Sequence, residues 1–258
     1  MNKAIKDLVN GLNLYPVWLH QAWYTLGSKY KRTIMGTLWI AGNFVFTSVA
    51  ITIVFGALFH QDLKTLLPYT MLGNLSATMC LWIFAEAPEM YIASSGIIRN
   101  HAYPFTFFSF ESVARTMMLF GHNLVVYYVF MIFNGTLVVP NWSVVPGILV
   151  DIGIMLTWGT LVGMFASRYR DLRFLLPNLS SLLFFLTPVY WRVDSLGPKE
   201  WIAEFNPLYN MISLIRRPLL GEMATTGNWG YSFALLVAGL LACAIFFPLF
   251  RRRIPFWV

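Results

Sequence analysis

Long apolar runs separated by short charged segments dominate the chain. Six of the runs approach or exceed the roughly 20 residues that a helix needs to cross the hydrocarbon core of a membrane. They cover residues 35–59, 66–85, 113–133, 144–165, 174–191 and 231–250. The pattern predicts an all-α polytopic membrane protein, with six transmembrane helices in a single domain over residues 1–258.

Residues 12–32 precede the first run and follow a different pattern. Apolar and aromatic side chains recur there on one face at helical spacing, while polar side chains fall outside that face. The segment ends in the basic residues Lys29, Lys31 and Arg32. An amphipathic helix with a basic end is typical of a segment that lies in the membrane interface, so we expect an N-terminal interfacial helix.

The segment 192–227 separates the last two runs and is only partly polar. Asn206 followed by Pro207 is typical of a helix cap with proline in the first turn. Apolar residues then repeat at helical spacing, over a stretch too short to cross a membrane and too apolar for an ordinary surface loop. These features predict an external re-entrant hairpin before the last span.

The composition supports a membrane environment. Hydrophobic residues make up 58% of the chain and charged residues 11%, against about 25% charged residues in soluble domains. The net charge of +7 does not predict a nucleic-acid partner, because Lys and Arg concentrate in the segments that share a side with the N-terminus. By the positive-inside rule, we expect both termini in the cytoplasm.

Motifs for nucleotide binding and hydrolysis are missing from the sequence. The dipeptide Gly-Lys does not occur, so no GxxxxGK[ST] phosphate-binding loop is present, and GxSxG and HExxH are also absent. The four histidines lie far apart in sequence, without the spacing of metal ligands. We therefore expect no catalytic residue, metal or cofactor in this chain, and any ATP and Mg²⁺ would be held by a separate subunit.

Acidic residues in or beside the apolar runs allow a second interpretation. Glu86 and Glu89 lie on one helix face at the end of the second run, and Asp151 lies inside the fourth. Intramembrane carboxylates often serve proton or ion relays, which would suit an ion-coupled secondary transporter. The glutamates also fit the simpler interpretation of charges that pair or reach the interface at helix ends. The role of Asp151 stays open.

Three local patterns resemble one family of transporters. Residues 29–39, KYKRTIMGTLW, are similar to the RYKxSxLGxLW signature of ABC-2 permeases that export polysaccharides, with Met35 where leucine is usual. Residues 170–177 and 187–190, RDLRFLLP and TPVY, resemble the RDLxxLLP…TPVxY segment of that family, and residues 206–208 resemble its NPL motif. The order of predicted elements also agrees with the family.

The resemblance implies a function and a set of partners. The chain would be a permease subunit that forms a homodimer and pairs with two nucleotide-binding ABC subunits. The complex would move a lipid-linked polysaccharide, first of all an O-antigen in lipopolysaccharide biosynthesis, outward across a bacterial inner (plasma) membrane. Capsule and teichoic-acid polymers are cargo of the same class.

The resemblance also assigns residues to four parts of such a transporter. The channel would be lined by Trp39, Phe44, Phe46, Phe184, Phe185, Tyr190 and Trp191, although composition alone also allows these rings to face lipid. The cytoplasmic opening would lie beside Lys29, Lys31, Arg32, Met35 and Gly36. The ATPase would be contacted through Gln21, Ser28, Ser94, Ser95 and Arg99. The exit hairpin would include Asn206, Pro207, Arg216 and Arg217.

Overall fold

The computed structural model describes residues 3–28, 31 and 33–258, without the side chains of residues 195 and 196. Lys29 and Arg32, predicted at the cytoplasmic opening, lie outside the described residues. Every regular element in these ranges is a helix. The α-helices are α1 (Lys3–Asn13), α2 (Tyr15–Ser28), α3 (Leu38–Phe59), α4 (Leu63–Ala85), α5 (Met90–Ala93), α6 (Ser95–Asn100), α7 (Phe105–Asn134), α8 (Val144–Arg168), α9 (Leu172–Leu186), α10 (Trp201–Glu204), α11 (Pro207–Leu219), α12 (Thr226–Phe250) and α13 (Ile254–Trp257). Short 3₁₀ helices cover Ala87–Glu89, Val193–Lys199 and Arg251–Arg253.

Five of the described helices are long and apolar enough to cross a membrane, namely α3, α4, α7, α8 and α12. The prediction of a multi-pass all-α membrane protein is confirmed to that extent. The remaining predicted span, 174–191, contains α9, which has 15 residues. At 1.5 Å per residue α9 is roughly 22 Å long, shorter than the ~30 Å hydrocarbon core. A sixth span stays a prediction.

Several helix boundaries differ from the apolar runs for identifiable reasons. Helix α7 begins at Phe105, eight residues before the predicted span, because the mixed polar and aromatic residues of its first turns are largely buried inside the protein. The segment 12–32 contains the end of α1 and all of α2, with a break at Leu14. Pro16 stands in the first turn of α2, where its missing N–H is tolerated.

Helix α9 ends early because of proline. Thr187 has extended backbone angles, φ −94° and ψ 139°, and it precedes Pro188, which disfavours the α conformation at that position. The chain then continues without regular structure to Arg192. This irregular stretch lies at the end of the bundle where the hairpin packs.

Helix α4 is at the centre of the bundle and packs against α3, α7, α8, α9 and α11. Its membrane-spanning window is 78% buried, compared with 17% for α3 and 11% for α12. Helices α8 and α12 pair closely, and α1 and α2 pack along α7. Trp18 of α2 stacks on Phe110 of α7, with ring centroids 5.7 Å apart. Most of α3 and α9 is left at the surface.

The bundle has two distinct ends. The termini end carries α1, residues 86–104 and the C-terminal segment, joined by an ion pair between Asp7 and Arg251. The hairpin end carries the loop 135–143 and residues 187–225, joined where the Asn141 N–H donates to the Pro218 carbonyl oxygen at 2.7 Å. Helix α9 runs from the first end to the second.

Candidate functional site

The NPL and TP segments meet at the hairpin end. The side-chain oxygen of Asn206 accepts hydrogen bonds from the N–H groups of Leu208 at 3.0 Å and Tyr209 at 3.4 Å, so it caps α11. Its Nδ2 donates to the Thr187 hydroxyl at 3.0 Å. Pro207 occupies the first turn of the helix. One asparagine therefore starts the hairpin helix and fixes it to the irregular stretch after α9.

A second polar link fixes α11 to the last long helix. Asn228 donates through Nδ2 to the side-chain oxygen of Asn210 at 2.8 Å. Its own side-chain oxygen accepts from the N–H of Thr225 at 3.0 Å, which forms a capping box at the start of α12. The hairpin is thus connected by hydrogen bonds to the elements on both sides of it.

The irregular stretch after α9 approaches α4 very closely. A Cβ atom added to Gly73 would lie 2.3 Å from the carbonyl oxygen of Val189, so only glycine fits there. The hydroxyl of Tyr69, one turn earlier in α4, donates to the carbonyl oxygen of Trp191 at 3.2 Å. Backbone groups that no helix satisfies are therefore partly satisfied by side chains of α4 and α11.

Arg216 is the buried charge of this end, with 2% of its surface exposed. Its Nη1 donates to the Pro188 carbonyl oxygen at 2.7 Å, and its guanidinium lies 4.1 Å from the centroid of the Tyr69 ring. Among the described residues no carboxylate pairs with it. Predicted as part of the exit hairpin, Arg216 lies in the hairpin helix α11, where it is buried and holds the irregular stretch.

A cavity of about 660 Å³ opens beside Arg216. Arg217 lines it, as do the side chains of Lys64, Tyr69 and Arg192. Sequence patterns did not single out these last three, because Arg192 is far in sequence from Lys64 and Tyr69 of α4 and meets them only in the fold. The only sequence signal was that each stands at or near the predicted outer end of an apolar run.

The predicted channel residues fall into two groups. Phe44 and Tyr190 are buried inside the chain, 5% and 6% exposed, and Tyr190 packs on Phe184 at 5.0 Å between ring centroids. They pack as core residues here and present no ring to the surface. By contrast, Phe46 and Phe185 are 76% and 71% exposed.

The other predicted lining residues extend this pattern. Trp39 is also exposed, at the start of α3. Trp191 is half-buried, and its indole N–H donates to the Phe185 carbonyl oxygen at 3.4 Å. Phe55 of α3 approaches Tyr190, with ring centroids 6.2 Å apart, so α3 and the segment after α9 meet there. The exposed rings therefore belong to two neighbouring faces of the chain.

Polar side chains accompany the exposed rings of α3 and α9. Asn43 is exposed in the second turn of α3 and Asn178 in the middle of α9, and Ser181 is exposed one turn after Asn178. Side chains of this kind are costly toward lipid, so they usually face a partner or a water-filled passage. The surface formed by these exposed positions of α3 and α9 is called the mixed face below.

At the termini end, acidic side chains form hydrogen bonds or ion pairs with neighbouring elements. Asp7 is 5% exposed; its carboxylate accepts from the Thr106 N–H at 3.1 Å and lies 3.0 Å from Arg251 Nη2. The Thr106 hydroxyl lies 2.9 Å from the Asp7 carbonyl oxygen. This network joins α1, α7 and the C-terminal segment.

The residues predicted to contact an ATPase lie on two separate elements. Gln21 and Ser28 belong to α2, and Ser28 is exposed. Ser94 and Ser95 stand at the junction of α5 and α6, and the Arg99 guanidinium donates to the Val258 carbonyl oxygen. In the described residues no hydrogen bond, ion pair or ring contact joins α2 to α5 or α6. The structure therefore does not bring the two sets together within one chain.

The described part of the predicted cytoplasmic opening forms the connection between α2 and α3. Lys31 is exposed, and its ammonium lies 4.1 Å from the centroid of the Tyr24 ring. Met35 is exposed, and Gly36 has φ +55° with no atom near its Cβ position. Glycine adopts this left-handed conformation without strain, which explains a glycine at the turn into α3.

The acidic residues of the alternative interpretation lie apart. Glu86 pairs with Arg115 at 3.3 Å and Glu89 with Arg173 at 2.9 Å, both near the termini end. Asp151 is fully buried, and its carboxylate has no hydrogen-bond partner in the described part of the chain. The backbone of the Glu86 region contacts α8 at Gly163, which lies roughly 18 Å along that helix from Asp151. The two glutamates and Asp151 are therefore separate sites.

One comparison with known proteins identifies the family. Residues 23–220, about three quarters of the chain, match the family described as ABC-2 type transporter. No curated protein matches the sequence. The matched region includes the residues of the hairpin end described above, from Tyr69 to Arg217. The chain therefore belongs to the ABC-2 type transporter family of membrane proteins.

Proposed function

We propose that the chain moves a lipid-linked polysaccharide, with O-antigen as the first candidate, from the cytoplasmic to the outer side of a bacterial inner membrane. Family membership indicates the permease subunit of an ABC exporter, which acts with a nucleotide-binding ABC subunit. ATP hydrolysis would take place on that partner. The polysaccharide cargo is inferred from the three sequence motifs and belongs to the proposal.

The observation that carries the proposal is the mixed face of α3 and α9. Exposed Phe46 and Phe185 offer ring surfaces on which sugar C–H groups can rest, and Asn43 and Asn178 offer hydrogen bonds between them. Contacts of this kind are weak and repeated, so a long polymer can move along them. In a homodimer, two such faces could enclose a passage.

The orientation follows from the same proposal. The termini end would face the cytoplasm, where α2 and the junction of α5 and α6 would contact the ATPase. The hairpin end would face outward, and α9 together with residues 187–191 would complete the sixth crossing. Rigid-body movement of α2 and α3 would transmit the ATPase cycle to the passage. The ion-coupled alternative, through Asp151 or through Glu86 and Glu89, has less support from its glutamates, because they pair with Arg115 and Arg173.

Replacing one exposed ring tests the passage. Phe185→Ala should reduce surface polymer per membrane-inserted permease by about fivefold, the effect of ~1 kcal/mol at the lower end of the range for a stacked ring. The matched control is Phe233→Ala, which removes an exposed ring of α12, a helix without hydrogen bonds or ring contacts to α3 or α9 in the described residues. Equal export in both variants, at equal abundance, would show that Phe185 faces lipid.

A further inference from the structure

The cavity at the hairpin end has a strongly unbalanced charge. Its walls carry four basic side chains and two acidic ones, which are Lys64, Arg192, Arg216, Arg217, Asp194 and Glu222. The formal balance is therefore +2. The volume of about 660 Å³ is within the range of small-molecule sites, about 300–1,000 Å³.

Only half of the basic side chains have a carboxylate partner. Arg192 pairs with Asp194 at 3.7 Å, and Arg217 pairs with Glu222 at 3.3 Å. For Lys64 and Arg216 the described part of the protein offers no carboxylate within ion-pair distance. The excess positive charge therefore comes from one exposed side chain at the rim and one buried side chain at the base.

The buried guanidinium has capacity left for a ligand. Nη1 of Arg216 is used by the Pro188 carbonyl oxygen, and the Tyr69 ring covers one side. Nε is enclosed by protein and has no acceptor among the described residues, so a ligand in the cavity meets Arg216 chiefly through its charge. Carbonyl oxygens and a ring reduce the cost of burying this charge but do not neutralise it. An anion in the cavity would neutralise the charge.

We propose that this cavity binds the phosphate or diphosphate group of an anionic ligand. A dianion matches the charge balance, and arginine and lysine side chains are the usual partners of phosphate oxygens. The inference rests on the proposed function, since a lipid-linked cargo would bring such a group to this end. The same chemistry is also present in a lipid head group of the surrounding leaflet.

Pyrophosphate binding to the purified chain tests the site directly. The chain is placed in phosphatidylcholine nanodiscs, and equilibrium binding of labelled inorganic pyrophosphate is measured. Lys64→Gln should weaken binding by about threefold to tenfold, because it removes one unpaired charge close to the ligand. Glu222→Gln should strengthen binding, because it releases Arg217 and removes a repelling carboxylate. If the two exposed side chains acted only in folding, the two substitutions would not change pyrophosphate affinity in opposite directions.

Lys199→Gln is the matched control, since Lys199 is exposed at the same end but does not line the cavity. Equal binding by the Lys64→Gln and Lys199→Gln variants, or no saturable binding, overturns the proposal. Nanodiscs that also contain phosphatidylglycerol distinguish the two sources of the group. Loss of pyrophosphate binding there assigns the site to a lipid head group, and unchanged binding assigns it to the cargo; both outcomes support a phosphate site.

Export measured separately keeps the two proposals apart. A chain that exports polymer but binds no pyrophosphate would disprove the anion site and leave the proposed function standing. A chain that binds pyrophosphate with the expected variant pattern but exports no polymer with its ATPase would disprove the proposed function alone.

Discussion

The two ends of the bundle each bury a charged side chain, and they hold it by different means. At the termini end, Asp7 is fully engaged by the Thr106 backbone and by Arg251. At the hairpin end, Arg216 is held by carbonyl oxygens and an aromatic ring, and no carboxylate of the described residues pairs with it. A compensated buried charge can act as a structural joint, whereas an uncompensated one leaves capacity for a ligand.

The two ends of the bundle are also held together by different kinds of contact. Ion pairs between helices join the termini end, where Glu86 meets Arg115 and Glu89 meets Arg173. The hairpin end is joined mainly by close backbone contacts, such as that of Gly73 with Val189, and by capping hydrogen bonds such as those of Asn206. The first end is therefore held by ion pairs between elements and the second by capping and close backbone contact, a difference that fits the proposed docking and passage.

Removing the carboxylate of Asp7 should have the largest effect on the stability of the fold. Asp7→Ala leaves the Thr106 N–H without its acceptor and Arg251 without its partner, so we expect a loss of about 3 kcal/mol in unfolding free energy. Denaturant titration of the purified protein measures it. The control Glu86→Gln breaks a half-exposed ion pair and should cost less than about 1 kcal/mol. Equal losses would contradict the comparison.

Adding one methyl group at Gly73 should have the next largest effect. In Gly73→Ala the new Cβ would meet the Val189 carbonyl oxygen at 2.3 Å, so the irregular stretch must shift, at a cost of about 1–3 kcal/mol. Gly121→Ala in α7, where no atom lies near the Cβ position, is the control and should be neutral or slightly stabilising. A neutral Gly73→Ala variant would show that the hairpin end is loosely packed.

The sequence predicted the membrane-spanning helices well because burial in lipid requires long apolar runs. It also predicted the start of the hairpin helix, because Asn206 and Pro207 act locally within one helical turn. It did not predict the length of α7, whose first turns carry polar residues that only tertiary packing buries. Local patterns thus predicted the elements that are set by residues close in sequence, and missed the helix start that is set by tertiary packing.

The candidate site was harder to predict, since its charges come together only in three dimensions. Lys64 is far in sequence from Arg192 and Arg216, which stand in different elements of the predicted hairpin, and no spacing in the sequence relates the three. The sequence pattern predicted all the aromatic rings as channel lining. In the structure Phe185 is exposed and Tyr190, five residues later, is buried, because the chain leaves the helical path at Pro188. Which ring faces outward therefore depends on a backbone break whose result the sequence pattern did not show.

The central claim is that ATP hydrolysis at the termini end drives cargo out at the hairpin end. The most direct test reconstitutes the chain with its ABC ATPase in liposomes that contain a radiolabelled lipid-linked oligosaccharide. Thiol labelling of a Lys199→Cys variant assigns the leaflet at the hairpin end. The account predicts ATP-dependent appearance of the sugar in that leaflet, unaffected by ionophores. Transfer without the ATPase that stops when ion gradients are collapsed would contradict it.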